Sequence, residues 1–163
     1  MVMVKRHPLS KKERKRLAEE LSYISDLKIE DERLVEYYQD DNGEKILVNG
    51  EAWFVKLGDK WIPHLRFVLK NLQALRLPKV YVDKGAIEAL LRGADLMAPG
   101  VKSIEGVFKE GDIVVICELE SRKPFAVGRA LASSDPIVKG ELRRGKVVEN
   151  LHYFNDEIWR HGP

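Results

Sequence analysis

The sequence predicts an α+β protein of two units, divided just before Pro78. Two observations carry this reading. Residues 1–77 combine a capped amphipathic helix with period-two strand runs joined by tight turn signals, the pattern of an N-terminal α/β domain built on an antiparallel meander. Residues 78–163 switch to many short strands with turn punctuation and two short helices, which suits a small closed or nearly closed barrel. At 163 residues and 44% hydrophobic content, the chain can bury one ordinary core or two small ones. Without an internal repeat or a low-complexity linker, the boundary rests on the change of pattern, and the two units are expected to pack tightly.

Ser10 and Glu13 match a capping box, and Leu17, Leu21 and Ile24 recur at helical spacing, predicting a first helix over about residues 11–25. Leu27 and Ile29 then alternate with charge. The run Arg33 to Tyr38 reads as a strand reaching the turn cluster Asp40-Asp41-Asn42-Gly43. Lys45 to Val48 leads into Asn49-Gly50, a strong hairpin signal, and Glu51 to Leu57 is the returning strand. After the Gly58-Asp59 turn, Pro63 is placed at the first position of a helix carrying Leu65, Val68, Leu69 and Leu72 and ending before Pro78.

In the second unit Val80-Tyr81-Val82 reads as a strand and Asp83 as a helix cap, its side chain accepting from free amides of the first turn. The helix starts near Lys84 with Ala86, Ile87, Leu90 and Leu91 as its apolar stripe, and Gly93 closes it. Gly93 to Gly100 is read as a glycine-bounded loop. A short strand is placed at Val107-Phe108, a buried one at Ile113 to Cys117, and another at Phe125 to Leu131, with Gly128 marking a bulge or close contact. Ser133 to Pro136 breaks the pattern, Val147 to His152 is the last strand, and Asn155 or Asp156 caps a final turn ending at Trp159.

Net charge is only +2, from 28 basic and 26 acidic residues, so bulk electrostatics announce no polyanionic partner. The distribution is uneven. Residues 1–16 hold seven basic groups against Glu13 alone, and Lys139, Arg143, Arg144 and Lys146 cluster around Glu141. Cations are disfavoured at the start of a helix, so the N-terminal cluster fits either a solvated face or contact with phosphate.

Catalytic and metal readings find little to build on. His7, His64, His152 and His161 are scattered without ligand spacing, and Cys117 sits in an apolar strand pattern as a small hydrophobe. Nucleophile-elbow and phosphate-cradling motifs are missing. A single cysteine fits a reduced compartment; no run spans a bilayer and the start lacks a signal-peptide core, so the reading is cytoplasmic, with no membrane partner. Neither enzyme activity nor a cofactor or metal is expected. By local sequence alone, Gly93 needs only to be a helix cap, Met97 core packing, and Pro99-Gly100 a turn.

A family resemblance points further. Val82-Asp83-Lys84-Gly85-Ala86-Ile87, Gly93 to Gly100, and Glu149-Asn150-Leu151-His152-Tyr153-Phe154-Asn155-Asp156-Glu157-Ile158-Trp159 resemble a PUA domain. More narrowly, with Val48-Asn49-Gly50-Glu51 and Trp61-Ile62-Pro63-His64-Leu65-Arg66, the chain is similar to the malignant-T-cell-amplified-sequence family and the N-terminal part of ligatin, from about Lys45 onward. The resemblance implies a pre-PUA α/β domain over residues 1–77 and a PUA pseudo-barrel that binds RNA over residues 78–163. It also implies association with tRNA or rRNA and the small ribosomal subunit, in initiation or recycling. A separate translation-factor partner would act in trans. The RNA-facing residues carried over are Lys84, Gly93, Ala94, Asp95, Met97, Pro99 and Gly100: Lys84 to phosphate, the glycines for close backbone approach, the loop amides to bases or sugars. Arg129, Arg143, Arg144, Lys146 and His152 join them on charge and nearness in the motif. PUA domains also accompany RNA-modification catalysts, so an accessory subunit that positions RNA for such an enzyme is the alternative.

Overall fold

The computed structural model describes residues 3–163, which fall into two compact units. The first holds the described chain up to Arg76 together with Arg160–Pro163, and the second is Leu77–Trp159. The first unit runs β1 (Lys5–Pro8), α1 (Lys11–Leu21), a 3-10 turn (Ile29–Asp31), β2 (Val35–Asp40), β3 (Gly43–Val48), β4 (Glu51–Leu57), β5 (Lys60–Pro63), α2 (Leu65–Lys70) and a second 3-10 turn (Leu72–Ala74). Its five strands form one antiparallel sheet in chain order.

Local chemistry explains most of these boundaries. The Ser10–Glu13 capping box is complete, at 3.0 and 3.1 Å. The helix stops at Leu21, short of the residue 25 expected, yet Leu17, Leu21 and Ile24 are all buried, because the last turn continues the spacing without helical geometry. Asn49 and Gly50 both take positive φ, 52° and 87°, as a two-residue hairpin turn whose twist matches its strands requires. Pro63 is not the first helical residue: it pairs with Phe54 at the end of β5, and His64 is the cap of α2, its Nδ1 accepting from the Arg66 amide at 3.0 Å. An X-Pro pair favours extended backbone before it, which suits the strand better. β1 went unseen in the sequence, since Lys-Arg-His-Pro has no apolar alternation; its register is held by Arg6, whose guanidinium grips Glu36 with two 3.0 Å bonds. The alternation at Leu27 and Ile29 leads into the first 3-10 turn, Ile29–Asp31, with Ile29 buried.

The second unit runs β6 (Lys79–Val82), α3 (Lys84–Leu90), β7 (Leu96–Met97), a 3-10 turn (Ala98–Gly100), β8 (Val101–Glu105), β9 (Ile113–Glu118), β10 (Pro124–Ala130), α4 (Ser134–Val138), β11 (Lys146–Tyr153) and α5 (Glu157–Arg160). Six strands make a curled sheet in the order β7-β11-β10-β9-β6-β8, with β6 and β9 parallel and the other pairs antiparallel. The two edges, β7 and β8, are joined by the three residues Ala98–Gly100, so one tight turn nearly closes the sheet and limits the exposed edge. Inside lie Val80, Val82, Leu90, Leu96, Phe108, Val114, Ile116 and Val148. The strand placed at Val107-Phe108 is absent: Val107 is 85% exposed, and the strand is Val101–Glu105, hidden in sequence because an edge strand carries Lys102, Ser103 and Glu105. Ser133 to Pro136 does not simply break the pattern but begins α4. Gly128 lies at a register shift between β10 and β11, where an added Cβ would come within 2.4 Å of Val148 Cγ1 and 2.7 Å of the Glu149 carbonyl.

Candidate nucleic-acid interface

The stretch from Asp83 to Gly100 is built by its own short-range bonds and then clamped from β11. Asp83 caps α3: its Oδ1 accepts from the Ala86 amide at 3.0 Å, and that bond, helped by the Lys102 ammonium at 3.6 Å, holds the carboxyl below its ordinary range. The helix closes with Gly93 N–H donating to Leu90 O at 3.0 Å and Ala94 N–H to Ala89 O at 3.1 Å. Gly93 takes φ +95°, a conformation unfavourable for residues with a Cβ, and such a Cβ would also meet Tyr153 Oη at 3.3 Å. Gly100 is required differently. Its missing side chain leaves room for Ala86 Cβ and Leu96 Cδ1, 3.0 and 3.1 Å from where a Cβ would be, so the close approach it permits is that of α3 in this chain.

The residues expected to form a free loop include a strand. β7 pairs with β11, Met97 opposite Lys146 and Leu96 opposite Val148, and Ala98 N–H donates to Gly145 O at 2.8 Å. A two-residue strand is too short for alternation to show. Leu96 turns inward and Met97 outward, 45% exposed; Gly93, Ala94 and Pro99 are exposed as well. Asp83, Gly85, Asp95, Met97, Pro99 and Gly100 border an open depression of about 300 Å³ over α3.

Asn150 of β11 is the clamp, a residue with no local sequence signal for that role. Its Nδ2 donates to Leu90 O at 2.9 Å and Ala94 O at 3.0 Å, while its backbone amide donates to Asp95 Oδ1 at 2.8 Å. These partners lie 55 to 60 residues away in sequence, beyond any local pattern. Asp95 is therefore a structural acceptor first; its Oδ2 also meets Lys146 Nζ at 3.2 Å. The Lys146 side chain is 61% exposed, so water screens the pair and the ammonium stays available to a polyanion.

The remaining candidates divide. Lys84, Arg143, Arg144 and Lys146 are exposed. Arg129 stands on β10 opposite Glu149, 3.8 Å from its carboxylate and one strand beyond β11 from β7. His152 has no exposed surface, which corrects its expectation as an RNA-facing group. Its Nδ1 lies 2.8 Å from Asp156 Oδ2, which also accepts from the Tyr153 amide, and Asp156 Oδ1 accepts from the Trp159 amide. Burial pushes the Asp156 carboxyl up, but the His152 bond and charge and the two amides outweigh it and hold it below its ordinary range. The Glu149 to Trp159 run is thus a scaffold: it fixes β11 and its exit. Burial raises the Cys117 thiol to about 12, far from nucleophilic use. No group of three or more His, Cys, Asp or Glu gathers into a metal-binding cluster among the described residues, and none of their helices is long and apolar enough to cross a membrane.

Residues 78–154 match the family described as PUA domain, and residues 5–71 the one described as domain of unknown function DUF1947. An uncharacterized protein of Methanocaldococcus jannaschii is 39% identical over 98% of both chains. Translation machinery-associated protein 20 of Schizosaccharomyces pombe is 35% identical over 97% of this chain and 82% of its own, and malignant T-cell-amplified sequence 1 of Danio rerio 37% identical over 71% and 64%. The chain thus spans just under two thirds of the zebrafish relative. Among solved structures, a PUA domain protein from Aeropyrum pernix K1, crystallised as a tartrate complex, superposes with a TM-score of 0.81 at 33% identity, over 97% of this chain and 90% of that one.

Proposed function

This chain belongs to the PUA-domain family that includes translation machinery-associated protein 20 and malignant T-cell-amplified sequence 1, and from that premise we propose that it is a non-catalytic RNA-binding protein of translation. It engages tRNA or the rRNA of the small ribosomal subunit, in initiation or recycling, in the cytoplasm. The second unit, Leu77–Trp159, carries the RNA, and the first supports association with the ribosome or a separate translation factor.

One observation carries the reading. The backbone from Gly93 to Pro99 is framed by hydrogen bonds with Gly93, Ala94, Met97 and Pro99 exposed, and the elements around it each bring a cation: Lys84 on α3, Lys102 on β8, Arg143 and Arg144 before β11, and Lys146 on it. Phosphate contacts position a strand while accessible backbone groups and shallow apolar surface receive bases and sugars. Framing matters because a pre-ordered surface loses little entropy on binding.

The test is retention of tRNA and small subunits by the immobilised protein at low salt, repeated with a folded Lys84→Ala/Gly93→Val variant. The account expects retention by the wild type and a clear loss in the variant. If the wild type retains neither, or instead co-purifies with an RNA-modification enzyme, the translation reading fails; undiminished retention by the variant would reject this surface.

A further inference from the structure

Behind Pro99, away from the depression over α3, a second one of about 460 Å³ opens between β8 and α4. We propose that it is a nucleotide pocket, taking one unstacked base of a single-stranded RNA segment with a neighbouring phosphate on its rim; this rests on the RNA-binding reading and extends it to a second subsite.

Part of the lining is aliphatic. Ile104 of β8, Ile137 and Val138 of α4, and Leu142 line it; the first two and Leu142 are partly buried against the core, and Val138 is 67% exposed. The volume lies within the range of about 300–1,000 Å³ typical of small-molecule sites. Two cations complete the lining, Lys102 and Arg143. Arg143 is already aimed: its Nε donates to Gly140 O at 2.6 Å, which fixes the plane of the guanidinium and leaves its terminal N–H groups to a partner. Lys102 meets Asp83 at 3.6 Å, with both side chains more than two fifths exposed, so a phosphate can draw it away at little cost. Acidic residues are missing from the lining, which therefore favours an anion joined to something apolar.

The shape argues for a base over an extended peptide. Among the described strands β8 pairs only with β6, and α4 packs against β8 beside the depression, where an added strand would have to run. A compact planar group can enter where an added strand would need an open channel. Ser103 supplies one hydroxyl able to donate or accept toward a base or a ribose. Pro99 separates the two depressions and lines both, so a strand crossing it would place successive nucleotides on either side.

Methyl-detected NMR of the full chain tests this, with adenosine 5′-monophosphate as probe and inorganic phosphate and a short acidic peptide as comparators. The nucleotide is expected to shift the methyl signals of Ile104, Ile137, Val138 and Leu142, and inorganic phosphate is not. Arg143→Ala should weaken that binding roughly tenfold, the worth of one charge-assisted hydrogen bond, and Val138→Glu, at an exposed position that leaves the fold intact, should abolish it. Silent pocket methyls, an equal response to inorganic phosphate, or a stronger response to the peptide would overturn the proposal. If those results come with tRNA still retained by the wild type, the pocket alone fails; if the wild type retains no RNA at all, the reading it rests on fails with it.

Discussion

Truncating Asn150 isolates the clamp that frames the proposed RNA surface. Asn150→Ala removes two hydrogen bonds, to Leu90 O at 2.9 Å and Ala94 O at 3.0 Å. At about 0.5–1.5 kcal/mol each they sum to about 1–3 kcal/mol. Part is recovered, because Leu90 O keeps the Gly93 amide at 3.0 Å and the exposed Ala94 carbonyl can take water. The net expectation is about 1–2 kcal/mol of local stability, or roughly 5–30-fold faster hydrogen exchange at the Gly93 and Ala94 amides. Asn150→Asp should be worse by about 1–3 kcal/mol, because it turns a carboxylate oxygen toward two carbonyls and sets a second acid beside Asp95. Native-state exchange is the right assay because it reads the clamp locally, whereas a chain of two units need not unfold in one step. If exchange at Gly93 and Ala94 is as slow in the aspartate variant as in the wild type, the clamp does not hold this surface.

Other perturbations follow from the same geometry. Gly128→Ala should cost about 1–3 kcal/mol in thermal or urea unfolding, since the new Cβ meets Val148 and a backbone carbonyl that cannot both withdraw, whereas Gly85→Ala, at an ordinary 3.6 Å contact inside α3, should gain about 0.5–1 kcal/mol. Asp156 has a folded pKa below its unfolded value, so the stability it contributes is complete above the unfolded carboxyl range, near about pH 4, and is lost as pH falls through the folded value; Asp156→Asn should flatten the acid limb of a stability–pH profile, and an unchanged limb would refute the role. RNA affinity should fall linearly with the logarithm of salt concentration, and Lys146→Ala should reduce that slope by about one phosphate equivalent without altering sequence preference.

How much of this the sequence revealed depended on the range of the forces involved. Asp83 as a cap, Lys84 as the helix start and Gly93 as its close were legible because each is decided within one turn of chain. The Asn49-Gly50 hairpin was legible for the same reason. β8 was misplaced to Val107-Phe108 because its polarity follows from being a sheet edge, which only the tertiary pairing decides. β7 lies in what reads as a loop, two residues long and held by β11. Among the site residues, Lys84 and the basic run from Lys139 to Lys146 are exposed as charge alone suggests. Nothing local distinguishes His152, which is buried against Asp156, from a surface histidine, and nothing local gives Asn150 its two carbonyl partners at the end of α3.

The central claim is that this protein holds RNA on the β7 side of its barrel. Ultraviolet crosslinking in cell extract, with sequencing of the attached RNA and mass spectrometry of the attached peptides, addresses it in one measurement. The account predicts tRNA or small-subunit rRNA joined to peptides from Lys84 to Lys102 and from Lys139 to Lys146. Crosslinks confined to other peptides, or no RNA recovered at all, would contradict it.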